Sequence, residues 1–341
     1  MKYIFITCDV ECHDLSKENL FLTGKINGKE YGLRKILELA KTNNVPVNFF
    51  LDVVECRKYG DEYVENIVKE ITSYGQPVFF HIHPSYVMKD GRPNFYQYTP
   101  EEQKKVLDEG LSDYRRLVGT DETLVIRAGN YGIDQNYYDS LSSIGGFKKI
   151  IDLSYCYSYR WSHFYPSFVN SINRYKTITI FPNTRFAAFR FFHFVKYMNL
   201  DVESAFYSEM KSILKNSNLP CMVFTMHSWS FLRSFFDHPK TVRVNKRALR
   251  NFSRFIAFAK NNEYSFCRLD QVDFDQFKGC PDDNLNLSRG LLGALREDMF
   301  SFFRMHGTAM SNKKWFLIYL IFYCVLTLLL TGLIVFLVWK F

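Results

Sequence analysis

The eight cysteines of this 341-residue sequence lack any Cys-x-x-Cys pair and any repeated spacing. In a chain of this size, that pattern argues against a disulfide framework and indicates reduced thiols. The N-terminus also lacks the long apolar stretch of a signal peptide, because Asp9 interrupts the apolar run that begins at Tyr3. Both absences favour a cytoplasmic location over the class of small secreted proteins.

Internal repeats and low-complexity segments are absent too, and the composition, 47% hydrophobic and 23% charged, is typical of a globular protein. Acidic residues are scarce between residues 160 and 260, a segment with 16 Lys and Arg but only 4 Asp and Glu. The net charge of the whole chain is +8. Such a basic segment suits anionic lipid, a phosphorylated substrate or nucleic acid, or it is an ordinary solvated face. The uncharged C-terminus favours lipid, so we expect no nucleic-acid partner.

Residues 315–339 contain no charged side chain, and these 25 residues exceed the ~20 that a helix needs to cross a membrane. Trp315 and Trp339 bracket the run as interfacial anchors do, and Lys313 and Lys314 precede it. By the positive-inside rule we expect a single-pass C-terminal membrane anchor with the preceding chain in the cytoplasm, at a bacterial inner membrane. The predicted regions are a folded domain at 1–277, a juxtamembrane connector at 278–313 and the anchor at 314–341.

The folded domain alternates between short apolar runs and helical patterns. This alternation predicts parallel strands covered by helices, and seven or eight such units suit a (β/α) barrel. Strands are predicted at 3–8, 45–51, 77–82, 123–127, 147–153, 177–181, 220–226 and 264–269, and helices at 31–43, 61–73, 100–117, 134–144, 201–215 and 243–261.

Polar side chains stand at the ends of several predicted strands. Asp9 and Glu11 alternate at the end of the first strand, as His81 and His83 do at the end of the third. Because side chains on a strand alternate faces, each pair projects from one face. Two carboxylates and two imidazoles in this arrangement form a site for a divalent metal with a spare carboxylate, which is typical of a hydrolase. The C-terminal strand ends of a barrel meet at one face. The other polar residues at such ends are Arg127, Asp152 and His227.

The stretch 185–198 is rich in aromatic and basic residues. At about 100° per residue its basic side chains fall on one arc and its aromatic side chains cover the rest. The pattern predicts a helix, either amphipathic at a membrane interface or packed on the core with a solvated edge. The basic residues are Arg185, Arg190, His193 and Lys196.

Six motifs, taken in order, resemble the polysaccharide deacetylases, carbohydrate esterase family four. The resemblance covers about residues 1–275 and implies an irregular seven-stranded (β/α) barrel. In this sequence one residue separates the paired histidines, where the family usually has three, and Val10 stands where the family usually has its second aspartate. The motifs are Thr7-Cys8-Asp9-Val10-Glu11, Val45-Pro46-Val47-Asn48-Phe49-Phe50, His81-Ile82-His83-Pro84, Arg127-Ala128-Gly129-Asn130-Tyr131-Gly132, Met226-His227-Ser228 and Tyr264-Ser265-Phe266-Cys267-Arg268-Leu269-Asp270.

The resemblance implies a hydrolase that removes an acyl group from the amide nitrogen of a sugar, with a divalent metal, zinc, as cofactor. Glu11, His81 and His83 would hold the metal. Asp9 would act as the general base that takes a proton from water. Arg127 would orient that carboxylate and keep it ionised.

The remaining roles also come from the resemblance. His227 would protonate the departing amine, and Asp152 would set its tautomer and orientation. A backbone N–H near Tyr131 would stabilise the oxyanion. Tyr131 and Trp229 are the expected substrate-binding residues.

With the anchor, these features predict a membrane-anchored N-deacetylase of a glycan or a lipid-linked glycan precursor. Two other functions stay open: a non-catalytic, membrane-tethered glycan-binding protein on the same fold, and an amidohydrolase of a non-sugar amide. Each assigned residue also has a structural alternative, as a capping carboxylate, a packed histidine or a member of a structural ion pair. The sequence does not define an oligomeric state.

Overall fold

A computed structural model describes most of the chain up to residue 285. The residues outside the description in this part are 1, 13, 16–17, 120–121, 158, 192–193, 236–237, 278 and 284. Beyond residue 285 the described residues are Val325, Leu328, Thr331, Gly332, Phe336 and Trp339. The chain divides into two compact units, the first with residues 1–187 and 197–287 and the second with residues 188–196 and 288–341.

Strands and helices alternate along the described chain, most of them close to the predicted positions. The strands are β1 (Lys2–Val10), β2 (Val47–Asp52), β3 (Val78–Ile82), β4 (Thr123–Ala128), β5 (Lys149–Asp152), β6 (Asn173–Tyr175), β7 (Ile178–Ile180), β8 (Arg185–Phe191), β9 (Phe194–Asn199), β10 (Cys221–His227), β11 (Leu232–Phe235), β12 (His238–Val244) and β13 (Tyr264–Phe266). The α-helices are α1 (Glu18–Phe21), α2 (Leu33–Asn43), α3 (Cys56–Tyr59), α4 (Asp61–Ser73), α5 (Pro84–Met88), α6 (Pro100–Leu117), α7 (Gln135–Ser142), α8 (Tyr207–Asn216) and α9 (Lys246–Lys260).

Nine strands form one curled sheet in the order β10-β1-β2-β3-β4-β5-β7-β6, and β13 pairs with the first residues of β1. The pairings from β10 through to β7 are parallel, whereas β6 is antiparallel to β7. The predicted parallel α/β fold is therefore confirmed, as a half-barrel sheet. Parallel order brings the C-terminal ends of its strands to one edge, which is where polar residues of different motifs can meet.

Alternation along the strands separates the inside of the curled sheet from its outside. A buried apolar cluster fills the inside near the N-terminal ends of the strands and includes Phe5, Phe50, Phe79, Val125, Ile151, Phe181 and Val223. On the outside, Phe224 of β10 stacks on Phe255 of α9 with ring centroids 4.2 Å apart. Phe80 of β3 likewise packs on Tyr114 of α6, at 5.3 Å. The helices thus cover the outer face, and the interior above the apolar cluster is left for polar side chains.

An irregular segment links the end of β7 to β10. Thr184 follows β7, and its carbonyl accepts the N–H of Leu200 at 2.9 Å. The carbonyl of Leu200 in turn accepts the N–H of Thr225 in β10 at 3.0 Å, and the Thr184 hydroxyl accepts the N–H of Val223 at 2.8 Å. Only single hydrogen bonds between chain segments link the two sides of the half-barrel here, so the structure is irregular at this point.

The helix predicted at 185–198 is wrong, because β8 and β9 occupy this stretch as a two-stranded sheet. Arg185 is buried and does not face solvent or lipid. Its guanidinium donates to Asn199 Oδ1 at 2.5 Å and to the carbonyl of Tyr197 at 2.9 Å. Phe, Tyr and Val dominate the stretch, and these residues favour strands over helices.

Most of the predicted anchor at 314–341 and most of the predicted connector lie outside the described residues. Val325, Leu328, Phe336 and Trp339 are helical and exposed. Among the residues that the structure describes, no helix has the length and apolar character needed to span a bilayer. The first residues of the connector belong to the first unit, since Asp282 accepts the N–H groups of Val169, Asn170 and Ser171.

Candidate active site

A buried cluster of one carboxylate and two imidazoles lies at the C-terminal ends of β1 and β3. Glu11 follows β1, and His81 and His83 stand at the end of β3 on the same face. Glu11 Oε2 is 2.6 Å from His83 Nε2 and 3.4 Å from His81 Nε2. Each of the three residues is less than one tenth exposed. Their ligand atoms all lie within 4.8 Å of one another.

The donor set can be tested against a divalent ion by distance. A tetrahedral ion with ligands at about 2.0–2.1 Å keeps its ligand atoms about 3.3 Å apart. The contact between Glu11 and His81 already has this spacing, and the one between Glu11 and His83 would have to lengthen by about 0.7 Å. Two nitrogens and one oxygen suit zinc or a similar borderline metal, with positions left for other ligands. The residues therefore fit a single divalent ion.

Buried polar groups in and beside this cluster support the same fit. His81 Nδ1 is buried without a hydrogen-bond partner among the described residues, and the Asp52 carboxyl group is buried next to it. Asp52 ends β2 as the register partner of His81. Burial, and then the charges of Glu55 and Glu11, raise the pKa of Asp52 well above its usual value. This concentration of acidic groups around two imidazoles favours a bound cation.

The Asp9–Arg127 pair lies one layer closer to the apolar core. Arg127 Nη1 donates to Asp9 Oδ1 at 2.5 Å, and Nη2 donates to Thr7 Oγ1 at 3.0 Å and to Asn183 Oδ1 at 3.1 Å. The guanidinium is fully buried, with its central carbon 4.3 Å from the centroid of the Phe50 ring. A charge-assisted hydrogen bond to a buried guanidinium fixes the position of a carboxylate. The pair therefore holds the Asp9 carboxylate in place close to the candidate metal site.

A tight turn after β4 forms one wall of the site. Asn130 and Tyr131 both adopt positive φ, at 57° and 55°, which is uncommon for non-glycine residues. Gly129 precedes them, and a Cβ there would lie 2.4 Å from Cε1 of His83. The absence of a side chain at Gly129 thus lets the His83 ring pack directly on the backbone. Tyr131 is buried in the turn, and burial raises the pKa of its hydroxyl well above the usual value.

His227 stands on the other side of Asp9, because Asp9 and His227 are register partners in β1 and β10. Its Nδ1 lies 3.0 Å from Glu203 Oε1, and Ser230 donates its hydroxyl to the same oxygen at 2.5 Å. Burial lowers the pKa of His227, but the Glu203 charge and hydrogen bond outweigh this effect and raise the pKa to about 9. At neutral pH His227 is therefore protonated, with Nε2–H available as a proton donor.

Trp229 lies beside this histidine. Its ring stacks on the imidazole of His227 with centroids 4.6 Å apart and an interplanar angle of 17°. The Trp229 ring also packs edge-to-face on Phe21, at 5.3 Å. Trp229 thus fixes the plane of the imidazole, and its role as a substrate-binding residue stays a prediction. Stacking of an aromatic ring on a charged imidazolium also favours the protonated form.

Asp152 does not contact His227, so the predicted orienting role falls to Glu203. Ile151 and Leu153 face the inside of the sheet, and alternation turns Asp152 outward against α7. Its carboxylate accepts hydroxyl donors from Tyr137 at 2.8 Å, Tyr138 at 3.0 Å and Ser154 at 2.6 Å. Asp152 is therefore a structural residue that joins β5 to α7.

Sequence reasoning missed Glu203, Asp52 and Asn183. Glu203 and Asn183 lie in irregular segments that carry no recognisable motif, so nothing in the sequence marks them. Asp52 had a usable signal, because it ends an apolar strand in the same way as Asp9 does. The structure brings together Asp9, Glu11, His81, His83, Arg127 and His227, and it places Tyr131 and Trp229 at the margins.

No protein-family model matches the chain, and no curated protein matches it. Solved structures do match. A polysaccharide deacetylase from Bacillus cereus is 13% identical, with a TM-score of 0.41 over 80% of this chain and 95% of the other. A family 4 carbohydrate esterase from Streptomyces lividans, solved with acetate, is 10% identical, with a TM-score of 0.42 over 83% and 98%. A family 4 pseudoenzyme from Bacillus anthracis is 11% identical, with a TM-score of 0.43 over 80% of this chain and 65% of that longer chain. These proteins belong to the family that the sequence motifs resemble.

Proposed function

We propose that this protein is a metal-dependent amide hydrolase that removes the acyl group from an N-acylated sugar. The observation that carries the proposal is that three sets of residues meet at the C-terminal ends of the parallel strands. They are the buried Glu11–His81–His83 cluster, the Asp9 carboxylate held by Arg127, and the protonated His227 held by Glu203. Together they provide a ligand set for a metal, a base and an acid, which amide hydrolysis requires.

A divalent ion bound by Glu11, His81 and His83 would supply a Lewis acid that polarises an amide carbonyl and acidifies water. The charge on Asp9 makes its carboxylate a proton acceptor for the attacking water. Arg127 keeps that carboxylate fixed, since its guanidinium is itself held by Thr7 and Asn183. No other Lys or Arg among the described residues forms an ion pair with Asp9.

His227 supplies the second proton transfer. Because Glu203 occupies Nδ1, the proton that His227 donates leaves from Nε2. The C–N bond of the amide breaks as this proton reaches the nitrogen, and the products are a free amine and a carboxylic acid. The raised pKa of His227 favours the protonated form before each turnover, as a general acid needs.

The test is to measure bound metal and acetate release on the same protein. The full-length chain is incubated with Zn²⁺, Co²⁺ or Mn²⁺, desalted and analysed for metal content, and acetate is measured from N-acetylated sugars and sugar nucleotides. The double variant His81→Ala/His83→Ala should lose both metal and activity. The matched variant His227→Gln should keep the metal and lose activity by a factor of ~10² to 10⁴.

A wild-type protein that takes up no metal would contradict the proposal. Metal uptake with no acetate from any sugar, but with release from a simple aryl amide, would instead favour an amidohydrolase of a non-sugar amide. Binding of sugars without metal or turnover would favour a glycan-binding protein. The three results are distinct, so the assay separates the functions that the sequence left open.

We further propose that residues 315–339 anchor the protein in a membrane and that its substrate is a lipid-linked glycan. The support is the uncharged run in the sequence and the two lysines before it. Cell fractionation of the full-length chain and of a chain that ends at residue 313 tests this proposal. We expect the full chain in the membrane fraction after carbonate washing and the shortened chain in the supernatant; equal distribution would refute the anchor.

A further inference from the structure

We infer that the outer face of α8 and α9 is a docking surface for an anionic lipid bilayer. This docking surface goes beyond the proposed function, because it requires neither amide hydrolysis nor the proposed anchor at 315–339. Its seven cations are Lys211 and Lys215 of α8 and Lys246, Arg247, Arg250, Arg254 and Lys260 of α9.

The sequence of α9 separates a buried apolar side from a basic outer side. Phe252, Phe255 and Ile256 are buried. Lys246 and Arg250 are exposed and lie four residues apart, so they share the opposite side of the helix. The helix contains no Asp or Glu. Its outer side therefore carries positive charge alone.

The neighbouring helix α8 adds two lysines and no exposed carboxylate. Its one acidic residue, Glu209, is buried. The Glu209 carboxylate accepts the backbone N–H of Phe206 at 2.7 Å, which caps the start of the helix. Because α8 packs against α9, the cations of both helices belong to one continuous surface.

On other helices, exposed lysines have carboxylate partners on the next turn. Lys104 of α6 pairs with Asp108 at 2.5 Å. Lys69 of α4 pairs with Glu65 at 3.2 Å. Such pairs are typical of an ordinary solvated helix face.

Most cations of the docking surface lack such partners. Within the described part of the chain, six of them take part in no ion pair: Lys211, Lys215, Lys246, Arg250, Arg254 and Lys260. A surface with cations of one sign and no compensating carboxylates attracts a partner with many negative charges. The charge pattern thus distinguishes this surface from an ordinary solvated face.

Two half-buried aromatic rings lie among these cations. The guanidinium carbon of Arg254 is 4.1 Å from the centroid of the Tyr207 ring. The Nζ atoms of Lys211 and Lys215 are 5.3 Å and 6.0 Å from the centroid of the Phe258 ring. Single-stranded nucleic acid binds on open ring faces, and these cations cover the faces that it would use. Charged heads above apolar rings suit the headgroup region of a bilayer instead.

The dimensions of the surface also suit a bilayer. The 15 residues of α9 extend over about 22 Å, and α8 lies beside them. Several separate cations can contact a plane of phosphodiester headgroups at the same time without a shaped pocket. The uncharged run at 315–339 in the same chain favours a membrane as well.

The docking surface begins at the same end of the sheet as the candidate active site. Glu203, the partner of His227, lies four residues before α8. Arg247, at the start of α9, donates to the carbonyl of Ala205 at 3.4 Å, between Glu203 and α8. Docking on lipid therefore places one flank of the candidate site next to the bilayer.

The experiment is lysine footprinting of the full-length protein in the presence of lipid vesicles. Vesicles of phosphatidylcholine are compared with vesicles that also contain about 30% phosphatidylglycerol. An amine-acetylating reagent is added, and mass spectrometry measures the rate at which each lysine is modified. We expect phosphatidylglycerol to slow the modification of Lys211, Lys215 and Lys246 at least threefold. About 0.5 M salt should remove this protection, whereas Lys69 on α4 should react equally under all conditions.

Two triple variants remove the same charge from different faces of the protein. The surface variant is Lys211→Gln/Lys215→Gln/Arg254→Gln. The control variant, on α4 and α6, is Lys69→Gln/Lys104→Gln/Lys105→Gln. The surface variant should lose most of the protection of Lys246, and the control variant should keep it. Thermal denaturation shows whether both variants are folded.

Equal modification rates with the two kinds of vesicle would overturn the inference, and so would protection of Lys246 that survives in the surface variant. Protection by polyuridylate RNA and not by vesicles would also overturn it and would favour nucleic acid. An anchor that holds the protein on both kinds of vesicle does not mask the result, because the measurement compares individual lysines.

The outcomes are distinct from those that test the proposed function. Acetate release without protection by phosphatidylglycerol would support the hydrolase and contradict the docking surface. Protection that depends on the three substituted cations, in a protein without hydrolase activity, would support the docking surface and contradict the hydrolase.

Discussion

Replacing Glu203 by glutamine should change the proton affinity of His227 more than any other single change in the described site. Glu203 Oε1 lies 3.0 Å from His227 Nδ1, and its charge opposes the burial that would otherwise lower the pKa of the imidazole. The glutamine side chain would be nearly the same size and could still hydrogen bond to the ring. The substitution Glu203→Gln therefore removes the charge and leaves the packing in place.

The magnitude follows from the rise of the His227 pKa from 6.5 to about 9. At about 1.36 kcal/mol per unit, a rise of this size is ~3 kcal/mol. The His227 and Glu203 side chains remain 32% and 37% exposed, so water screens part of the interaction. We therefore expect Glu203→Gln to lower the pKa of His227 by ~1–1.5 units and the free energy of unfolding by ~1–2 kcal/mol.

The sign of the pH dependence is fixed by the direction of the shift. A histidine with a raised folded pKa adds stability that is fully present below its unfolded value of 6.5 and disappears as pH rises through about 9. The wild type should therefore exceed Glu203→Gln in stability at about pH 6 and match it at about pH 10. NMR titration of the imidazole and urea unfolding at several pH values measure the two effects.

Glu122→Gln is a suitable control, since it removes a carboxylate from an exposed ion pair with Lys148 at the other end of β4. It should change neither the His227 pKa nor the pH dependence. An unchanged His227 titration in Glu203→Gln, or a loss of stability that is the same at low and high pH, would refute the reasoning.

Three further predictions follow from the same geometry. Gly129→Ala places a Cβ against the His83 ring and should weaken metal binding at least tenfold, as measured by equilibrium dialysis. In the control Gly145→Ala the new Cβ meets no atom within 4 Å, so metal affinity should not change. Equal metal affinities of the two variants would contradict this prediction. Asp152→Asn weakens the hydrogen bonds that join β5 to α7 and should lower the free energy of unfolding by ~2–4 kcal/mol. It should not alter the titration of His227; an altered titration would support the predicted role of Asp152 in orienting His227. Removing metal with a chelator should lower the melting temperature of the wild type and not that of His81→Ala/His83→Ala.

The sequence predicted the parallel strands well because their signal is local. β1, β2, β3 and β4 are apolar runs with charged or polar residues at or near their ends, and parallel pairing then brings those ends together. The positions of Asp9, Glu11, His81 and His83 required only the alternation of strand side chains. The proximity of these four side chains could therefore be predicted without any knowledge of the loops.

The roles that sequence reasoning missed depend on which face of a strand a side chain points to, and on segments without regular secondary structure. Asp152 sits at a strand end, but the buried Ile151 before it already faces inward, so alternation turns Asp152 outward. The partner of His227 is Glu203, in a loop between β9 and α8 whose course only the folded chain defines. The stretch from Arg185 to Asn199 has so many aromatic residues that helical and strand periodicities both fit it.

The hydrogen bond between Thr184 and Leu200 means that residues 185–199 begin and end at the same place beside the half-barrel sheet. Because the two ends of this segment are already close together, its length or fold can change without disrupting the sheet. Domain insertions are tolerated in other proteins for the same reason. Arg127 contacts this junction through Asn183, one residue before it. Replacement of residues 185–199 at this junction would therefore change the surface near the candidate site and leave the parallel strands that carry its residues paired.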